Sequence, residues 1–116
     1  MNTVLVVGSN SFSGSTFVDY ALRQGSRVLG ASRSVEPNDA FLPYKWRDHT
    51  NFSFHHLDLN RDLKEISVLL HDTRPEFVVN FAAQSMVAES WQNPGDWFMT
   101  NTVSPIKFHD ELRKCD

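Results

Sequence analysis

The sequence predicts an α/β fold, in which a parallel β-sheet carries helices on both of its faces. Three observations lead to this class: short apolar runs typical of strands buried on both sides, amphipathic stretches between them, and Gly, Pro or Asn at the junctions. The chain has 116 residues, 41% of them hydrophobic, and a formal charge of -3. This composition suits one folded unit, and the lack of a basic stripe disfavours a nucleic-acid binder.

The N-terminal part of the chain reads as strand, turn, helix and strand. Thr3 to Val7 (TVLVV) is a β-branched and aliphatic run, which predicts a first strand. Apolar residues recur at helical spacing from Gly14 to Gln24, and Gly25 supplies the residue that commonly ends a helix. Arg27 to Ala31 (RVLGA) predicts the second strand. The order is that of a right-handed βαβ unit.

A long connection follows from Arg33 to Asn51. It has no steady period, contains two prolines, and carries the aromatic residues Phe41, Tyr44 and Trp46. We expect at most one short helix here. Such length in a compact domain favours a binding role, and the alternative is a surface loop whose aromatic side chains cover the sheet edge.

Two further strands and two helices complete the pattern. Phe52 to Leu57 predicts the third strand, and Glu76 to Phe81 the fourth. Leu63, Ile66, Leu69 and Leu70 repeat at helical spacing between them, with Asp62 placed as an N-cap and Glu65 as its return partner. A last helix is expected to open at Asn93-Pro94 and to kink at Pro105, or to restart there with Ser104 as its cap.

These elements make the N-terminal half of a Rossmann-type doubly wound sheet, with the strand order 3-2-1-4. Unless a fifth strand lies beside it, the fourth strand is an open apolar edge. We expect a homo-oligomer, with association through that edge or through the kinked last helix. No apolar run is long enough to span a bilayer, the start does not resemble a secretory signal, and the single cysteine, Cys115, suits a reducing compartment. We therefore expect a cytoplasmic protein. The five histidines show no ligand spacing, so no metal site is expected.

The stretch VVGSNSFSGS joins the first strand to the first helix. Gly8 allows a tight turn there, and Gly14 allows the helix to lie close to the strand. Ser11 occupies the position of the middle glycine in a dinucleotide-binding pattern, where its hydroxyl could donate to a phosphate oxygen. A plain polar loop is the alternative, but the position between a buried strand and an amphipathic helix favours phosphate binding.

Together with this turn, three later motifs carry a resemblance to a known family. They are Asp58-Leu59 after the third strand, Asn80-Phe81-Ala82-Ala83-Gln84-Ser85 after the fourth, and Thr100-Asn101 beyond. In type, order and spacing the set resembles the extended short-chain dehydrogenase/reductase family of sugar-nucleotide epimerases and dehydratases. The stretch NFAAQSMVAESWQNP is most similar to that of GDP-mannose 4,6-dehydratases, and dTDP-glucose 4,6-dehydratases carry a similar one.

The resemblance implies which residues hold the cofactor and the substrate. Asp58 would accept a hydrogen bond from the adenine amino group, with a turn or capping role as the alternative, and Ser85 would contact the sugar nucleotide or act as an N-cap. Asn101 would hydrogen-bond backbone and water near the catalytic centre. The alternative is that it bonds the backbone groups left unpaired where Pro105 interrupts the helix. The implied dinucleotide-binding residues are Gly8, Asn10, Ser11, Phe12, Ser13, Gly14, Arg33, Asp58, Leu59, Phe81, Ala82, Ala83 and Gln84.

The end of the second strand bears on cofactor choice. An NAD-selective site usually has a carboxylate there, whereas a 2′-phosphate needs cationic or hydroxyl donors. The chain has Ala31-Ser32-Arg33-Ser34, so Arg33 with Ser32 or Ser34 favours NADP. Glu36 lies near enough in sequence to leave NAD as the alternative.

The family's catalytic tyrosine and lysine, four residues apart, are absent from these 116 residues, because Tyr20 is followed at that spacing by Gln24 and Tyr44 by Asp48. We therefore expect a partial NAD(P)-binding domain over residues 1–116, belonging to an enzyme that oxidises C4 of a nucleotide-linked hexose transiently. The alternatives are a non-catalytic NADP-binding or sensing protein of the same fold, and an unrelated flavodoxin-like binder of FMN.

Overall fold

The computed structural model of the chain describes residues 2–46, 50–58, 61–81 and 104–114. Four strands lie in these ranges: β1 (Thr3–Val7), β2 (Arg27–Ser32), β3 (Phe52–His56) and β4 (Phe77–Asn80). The helices are α1 (Phe12–Arg23), α2 (Leu63–Thr73) and α3 (Ser104–Lys114), and two 3-10 turns cover Asp39–Phe41 and Pro43–Lys45. The four strands therefore lie where the apolar runs predict them.

The strands form one parallel sheet in the order β3-β2-β1-β4. In the register, Val6 lies beside Gly30 of β2 on one side and beside Val79 of β4 on the other. This confirms the expected order 3-2-1-4. Because all strands are parallel, their carboxyl ends meet at one edge of the sheet, with β1 and β2 at its centre.

Alternate residues of the strands face two separate cores. On one face, Val4, Val6 and Val28 pack with Val18 of α1 and with Leu42. On the other face, a second cluster contains Leu5 and Leu29 of the sheet, Ile66 and Leu70 of α2, and Phe108 of α3. Helices therefore cover both faces, as the continuous apolar strands predict.

The start of α2 differs from the expected capping box. Asp62 is the residue before the helix, but its side chain makes no capping bond. Instead, its carboxylate accepts a hydrogen bond of 2.8 Å from the backbone N–H of Asp58. The carboxylate thus stabilises the turn after β3 rather than the helix end.

The last predicted helix is described only from Ser104 onward. A helix start at Asn93-Pro94 and a kink at Pro105 involve residues 82–103, which lie outside the described ranges. Within the described part of the chain, no helix has both the length and the hydropathy that crossing a bilayer requires.

The connection after β2 contains two 3-10 turns rather than one short helix. Tyr44 is buried there, and its ring lies 4.5 Å from the ring of Phe52 on the edge strand β3. Phe41 and Trp46 stay exposed, at 71% and 66% of their surface. One aromatic residue of the three thus folds back onto the sheet.

Candidate functional site

The glycine turn, residues 8–14, leaves the carboxyl end of β1 at the centre of the sheet. Gly8 has a φ of +83°, which side-chain-bearing residues rarely adopt. Its N–H donates to the carbonyl of Ala31 at 2.7 Å, so the turn is fastened to the end of β2. The chain then reverses, and α1 begins within four residues of Gly8.

Ser11 caps α1, which begins at Phe12 and not at Gly14. Its Oγ accepts a hydrogen bond of 3.0 Å from the N–H of Gly14 and donates to the carbonyl of Gly8 at 2.8 Å. The single hydroxyl proton is thereby used inside the turn. The serine serves as an N-cap here, and donation from this hydroxyl to a phosphate stays a prediction that requires its proton to leave the Gly8 carbonyl.

Capping leaves two backbone donors at the helix start. Among the residues that the structure describes, the N–H groups of Phe12 and Ser13 make no hydrogen bond. Both residues are exposed, Phe12 at 89%. The positive end of the helix dipole lies at these same amides. An anion at this position would find two free donors and a favourable field.

Gly14 lies where α1 approaches β1 most closely. A Cβ at this position would lie 2.1 Å from the carbonyl oxygen of Gly8 and 2.8 Å from Ser11 Oγ. No flexible side chain could relieve the first contact, because Gly8 offers a backbone atom. Gly8 is thus required by its positive φ and Gly14 by this close approach, as the sequence predicts.

Asn10 connects the glycine turn with the chain after β2. Its N–H donates to Ser32 Oγ at 3.1 Å, and its Nδ2 donates to the carbonyls of Ser34 and Val35 at 2.9 and 3.1 Å. Ser32 is 6% exposed, so its hydroxyl serves the turn. The hydroxyl of Ser32 is thus engaged with the glycine turn, and Ser34 is the exposed one of the two hydroxyl residues expected to bind a 2′-phosphate.

Arg33 follows β2 directly and is exposed. In the described ranges its guanidinium has neither an ion pair nor a hydrogen bond. Its backbone carbonyl is held by the ring of His56, whose Nε2 lies 2.8 Å away. Since a carbonyl only accepts, this ring nitrogen carries the proton. The backbone of Arg33 is thus fixed while its charge stays available to a ligand.

Glu36 is engaged by two side chains of the same connection. Its carboxylate accepts a hydrogen bond from the hydroxyl of Tyr44 and lies 3.1 Å from Lys45 Nζ. The hydrogen bond between Lys45 and Glu36 raises the pKa of Lys45. The pKa of Tyr44 is also raised, mainly by burial and secondly by its own hydrogen bond to Glu36. Both oxygens of this carboxylate are thus engaged within the connection.

The structure places Asp58 in the turn after β3. Its carboxylate lies 3.4 Å from Arg61 Nε and is largely buried. Phe81 continues β4, donates its N–H to the carbonyl of Val7 at 2.7 Å and packs its ring on Phe17 at 5.8 Å. Five of the predicted site residues and Asn101 lie outside the described ranges: Leu59, Ala82, Ala83, Gln84 and Ser85.

Sequence reasoning missed the packing around Ser9 and Gly30. Ser9 is completely buried, and a Cβ at Gly30 would lie 2.7 Å from its Oγ and 2.9 Å from the ring of Phe52. The signal was available, because a glycine inside an apolar strand often marks a close approach. Because Ser9 and Gly30 are small, the glycine turn can pack closely against the sheet.

Comparison with known sequences finds a matching family. The sequence-family description GDP-mannose 4,6 dehydratase matches residues 5–116. The chain is 32% identical over 113 residues to a dTDP-glucose 4,6-dehydratase of Xanthomonas campestris pv. campestris (strain B100), covering 97% of this chain and 32% of that protein. The chain thus spans about a third of the length of this relative.

Solved structures share the fold. The UDP-Glc/GlcNAc 4-epimerase of Campylobacter jejuni superposes with a TM-score of 0.85 at 22% identity, over 99% of this chain and 34% of that one. The UDP-glucose 4-epimerase of Thermus thermophilus, solved as a complex with NAD, gives 0.79 at 25% identity, over 97% and 34%. The sheet and helices described above thus occur in epimerases.

Proposed function

The chain belongs to the GDP-mannose 4,6-dehydratase family, and we propose that it is the cofactor-binding part of an NADP-dependent sugar-nucleotide 4,6-dehydratase or epimerase. In this proposal, residues 1–116 form a partial NAD(P)-binding domain. The remaining strands, the catalytic residues and the substrate lobe belong to a longer protein. The substrate is a nucleotide-linked hexose.

One observation carries the proposal: the two free amides at the start of α1, on Phe12 and Ser13, at the carboxyl edge of a parallel sheet. Ligands of doubly wound sheets bind at this edge where the strand order reverses, here between β1 and β4. The glycine turn fits a dinucleotide, because a diphosphate can accept from both amides. The absence of a side chain at Gly14 keeps the helix close to the strand.

Arg33 supports NADP as the preferred dinucleotide. Arg33 is exposed directly after β2, and the next residue, Ser34, is bonded through its carbonyl to Asn10 of the turn that would hold the diphosphate. Guanidinium groups bind phosphate through charge-assisted hydrogen bonds. The carboxylate that would favour NAD, Glu36, is occupied by Tyr44 and Lys45. The NAD complex of the Thermus relative keeps NAD as the alternative cofactor.

The bound nicotinamide would supply hydride transfer at C4 of the hexose. The chain's own residues would bind and orient it. The glycine turn would hold the diphosphate, Arg33 the 2′-phosphate, and Asp58 with Leu59 the adenine. Ala82 and Ala83 would leave room beside the ribose and nicotinamide, with Phe81 and Gln84 flanking them, and Ser85 would contact the sugar nucleotide.

A second candidate is a non-catalytic NADP-binding or sensing protein of the same fold. The Tyr-x-x-x-Lys pair that would distinguish an enzyme from such a protein is not among these 116 residues. Reading the coding sequence onward from Asp116 separates the two candidates. A Tyr-x-x-x-Lys pair in that continuation supports the enzyme, and an immediate stop codon supports the sensor.

Cofactor binding is tested by titrating the purified protein with NADPH and with NADH while recording dinucleotide fluorescence. We expect NADPH to bind more tightly. Arg33→Asp should weaken NADPH by about ten- to a hundredfold, the value of one lost charge-assisted hydrogen bond, and leave NADH nearly unchanged. Arg27→Asp, which changes an exposed arginine at the opposite end of β2, is the matched control and should change neither affinity.

The proposal fails if neither dinucleotide binds at concentrations up to the millimolar range. It also fails if FMN binds and both dinucleotides do not, since a flavodoxin-like binder would behave in that way. Equal weakening of NADPH by Arg33→Asp and Arg27→Asp would remove the assigned role of Arg33 and leave the diphosphate site in place.

A further inference from the structure

Asn10 holds two loops together that are far apart in sequence. Its Nδ2 carries two hydrogens, and each has an acceptor: the carbonyl of Ser34 at 2.9 Å and that of Val35 at 3.1 Å. The N–H of the same residue donates to Ser32 Oγ. The orientation of the carboxamide is therefore defined by its partners, because the reversed amide would set an oxygen against two carbonyls.

The segment that Asn10 holds, residues 33–35, has little else to keep it in place. All three of its residues are exposed, and Val35 exposes 68% of its surface. Apart from the link between His56 and the Arg33 carbonyl, the hydrogen bonds to this segment within the described ranges come from Asn10. Side-chain packing therefore contributes little to its position, which depends mainly on hydrogen bonds to its backbone.

We propose that Asn10 is a positioning residue for cofactor selectivity: by holding the carbonyls of Ser34 and Val35, it keeps Arg33 aimed at the 2′-phosphate of NADPH. This inference rests on the proposed function. Arg33 lies between two anchors: β2 and His56 hold its own backbone, and Asn10 holds the two residues that follow it. Without the second anchor, the segment has to be ordered when NADPH binds, and that loss of backbone entropy reduces affinity by roughly tenfold.

Positioning of Arg33 can be separated from general damage to the glycine turn. NADPH and NADH share the diphosphate, so a distorted turn weakens both dinucleotides by the same factor. A misplaced Arg33 weakens NADPH alone, because NADH has no 2′-phosphate. The ratio of the two dissociation constants is therefore the quantity that a merely structural role of Asn10 would leave unchanged.

The experiment measures both dissociation constants for the wild-type protein, Asn10→Ala, Arg33→Ser and the double variant. Asn38→Ala is the matched control, because Asn38 also caps backbone on this connection but only within its own 3-10 turn. Thermal unfolding verifies that each variant is folded. Asn10→Ser, which is too short to reach both carbonyls, replaces Asn10→Ala if the latter folds poorly.

We expect Asn10→Ala to weaken NADPH roughly tenfold and NADH less than twofold, and to add little in the Arg33→Ser background, since coupled residues are not additive. Asn38→Ala should leave the ratio unchanged. Equal losses for both dinucleotides, or full additivity with Arg33→Ser, would overturn the inference while leaving NADP binding intact. A wild-type protein that binds neither dinucleotide would overturn the proposed function, and this inference with it.

Discussion

Single atoms decide where the glycines of the turn are required. The missing Cβ of Gly14 allows α1 to contact the carbonyl of Gly8, and that contact sets the distance between helix and sheet. Gly25, at the other end of α1, is required for a different reason. Its φ is +86°, and a Cβ there would meet nothing within 4 Å.

Gly14→Ala and Gly25→Ala separate these two reasons. We expect Gly14→Ala to destabilise the fold by about 3 kcal/mol, the upper range for forcing a methyl group into a packed contact. Gly25→Ala should cost about 1 kcal/mol, because only backbone strain is added. Denaturant unfolding measures both losses. Similar losses for the two variants would contradict the close approach of α1 to β1.

Because of Tyr44, the free energy of unfolding should depend on pH in the alkaline range. Burial, followed by its hydrogen bond to Glu36, raises the pKa of this phenol in the folded state. The native state therefore retains the proton that the unfolded state releases near pH 10. The stabilisation is complete below that pH and is lost as pH rises through the folded-state pKa.

Stability above pH 10 should accordingly fall with a slope of up to about 1.4 kcal/mol per pH unit from this one group. Urea unfolding between pH 8 and pH 11 measures the slope. Tyr44→Phe should remove this contribution, whereas Tyr20→Phe, at an exposed tyrosine, should retain it. Identical slopes in wild type and Tyr44→Phe would contradict the buried hydrogen bond.

At the scale of elements, α1 depends on a cap that also closes the glycine turn. Ser11 Oγ serves both, through the N–H of Gly14 and the carbonyl of Gly8. The family pattern has glycine at this position. The serine is less free in its backbone conformation than glycine, but its side chain supplies a hydrogen-bonded cap that glycine lacks. This exchange explains how the turn keeps its course with only two of the three glycines.

Substitution of Ser11 tests the capping role. Ser11→Ala should destabilise the protein by about 1 kcal/mol, and Ser11→Gly by only a few tenths, following the known order of N-cap residues. Thermal unfolding measures both values. NADPH affinity should survive Ser11→Gly, because the hydroxyl proton is used within the turn. A loss of affinity on Ser11→Gly would show instead that the hydroxyl contacts the phosphate.

The order of the elements was predictable from the sequence, and the hydrogen-bond partners were not. Continuous runs such as TVLVV signal a strand buried on both faces, and the alternation with helical spacing leads to the parallel sheet. The roles of Ser32 and Asp62 depend on which loop lies opposite. By residue type, Ser32 could bind a phosphate and Asp62 could cap a helix. In the structure each side chain instead accepts a hydrogen bond from a backbone N–H of a turn, and only the tertiary contacts show this.

At the scale of the whole molecule, the described sheet is covered on both faces and ends on one side at β4. Among the described strands β4 pairs only with β1, and Phe77 exposes 56% of its surface there. Exposed apolar edge strands promote association between copies of a chain. Of the two routes expected for a homo-oligomer, this edge and the last helix, the edge is the one that a single substitution can test.

Phe77→Lys should reduce self-association of the 116-residue chain, because a charge on an edge strand opposes pairing with another copy. Sedimentation velocity at increasing concentration measures the association. Val68→Lys, at a residue of α2 with 59% exposure, adds the same charge away from the edge and should have no such effect. An unchanged sedimentation coefficient in Phe77→Lys would place any association elsewhere.

The free amides that open α1 are central to the proposed function, because they would bind the diphosphate of the dinucleotide. Their role is tested most directly by amide NMR of the 15N-labelled protein titrated with NADPH and, separately, with adenosine 2′-monophosphate, which lacks the diphosphate. We expect the N–H resonances of Phe12 and Ser13 to shift strongly with NADPH and little with the monophosphate. Saturating NADPH that moves other resonances but leaves these two unchanged would contradict diphosphate binding at this helix.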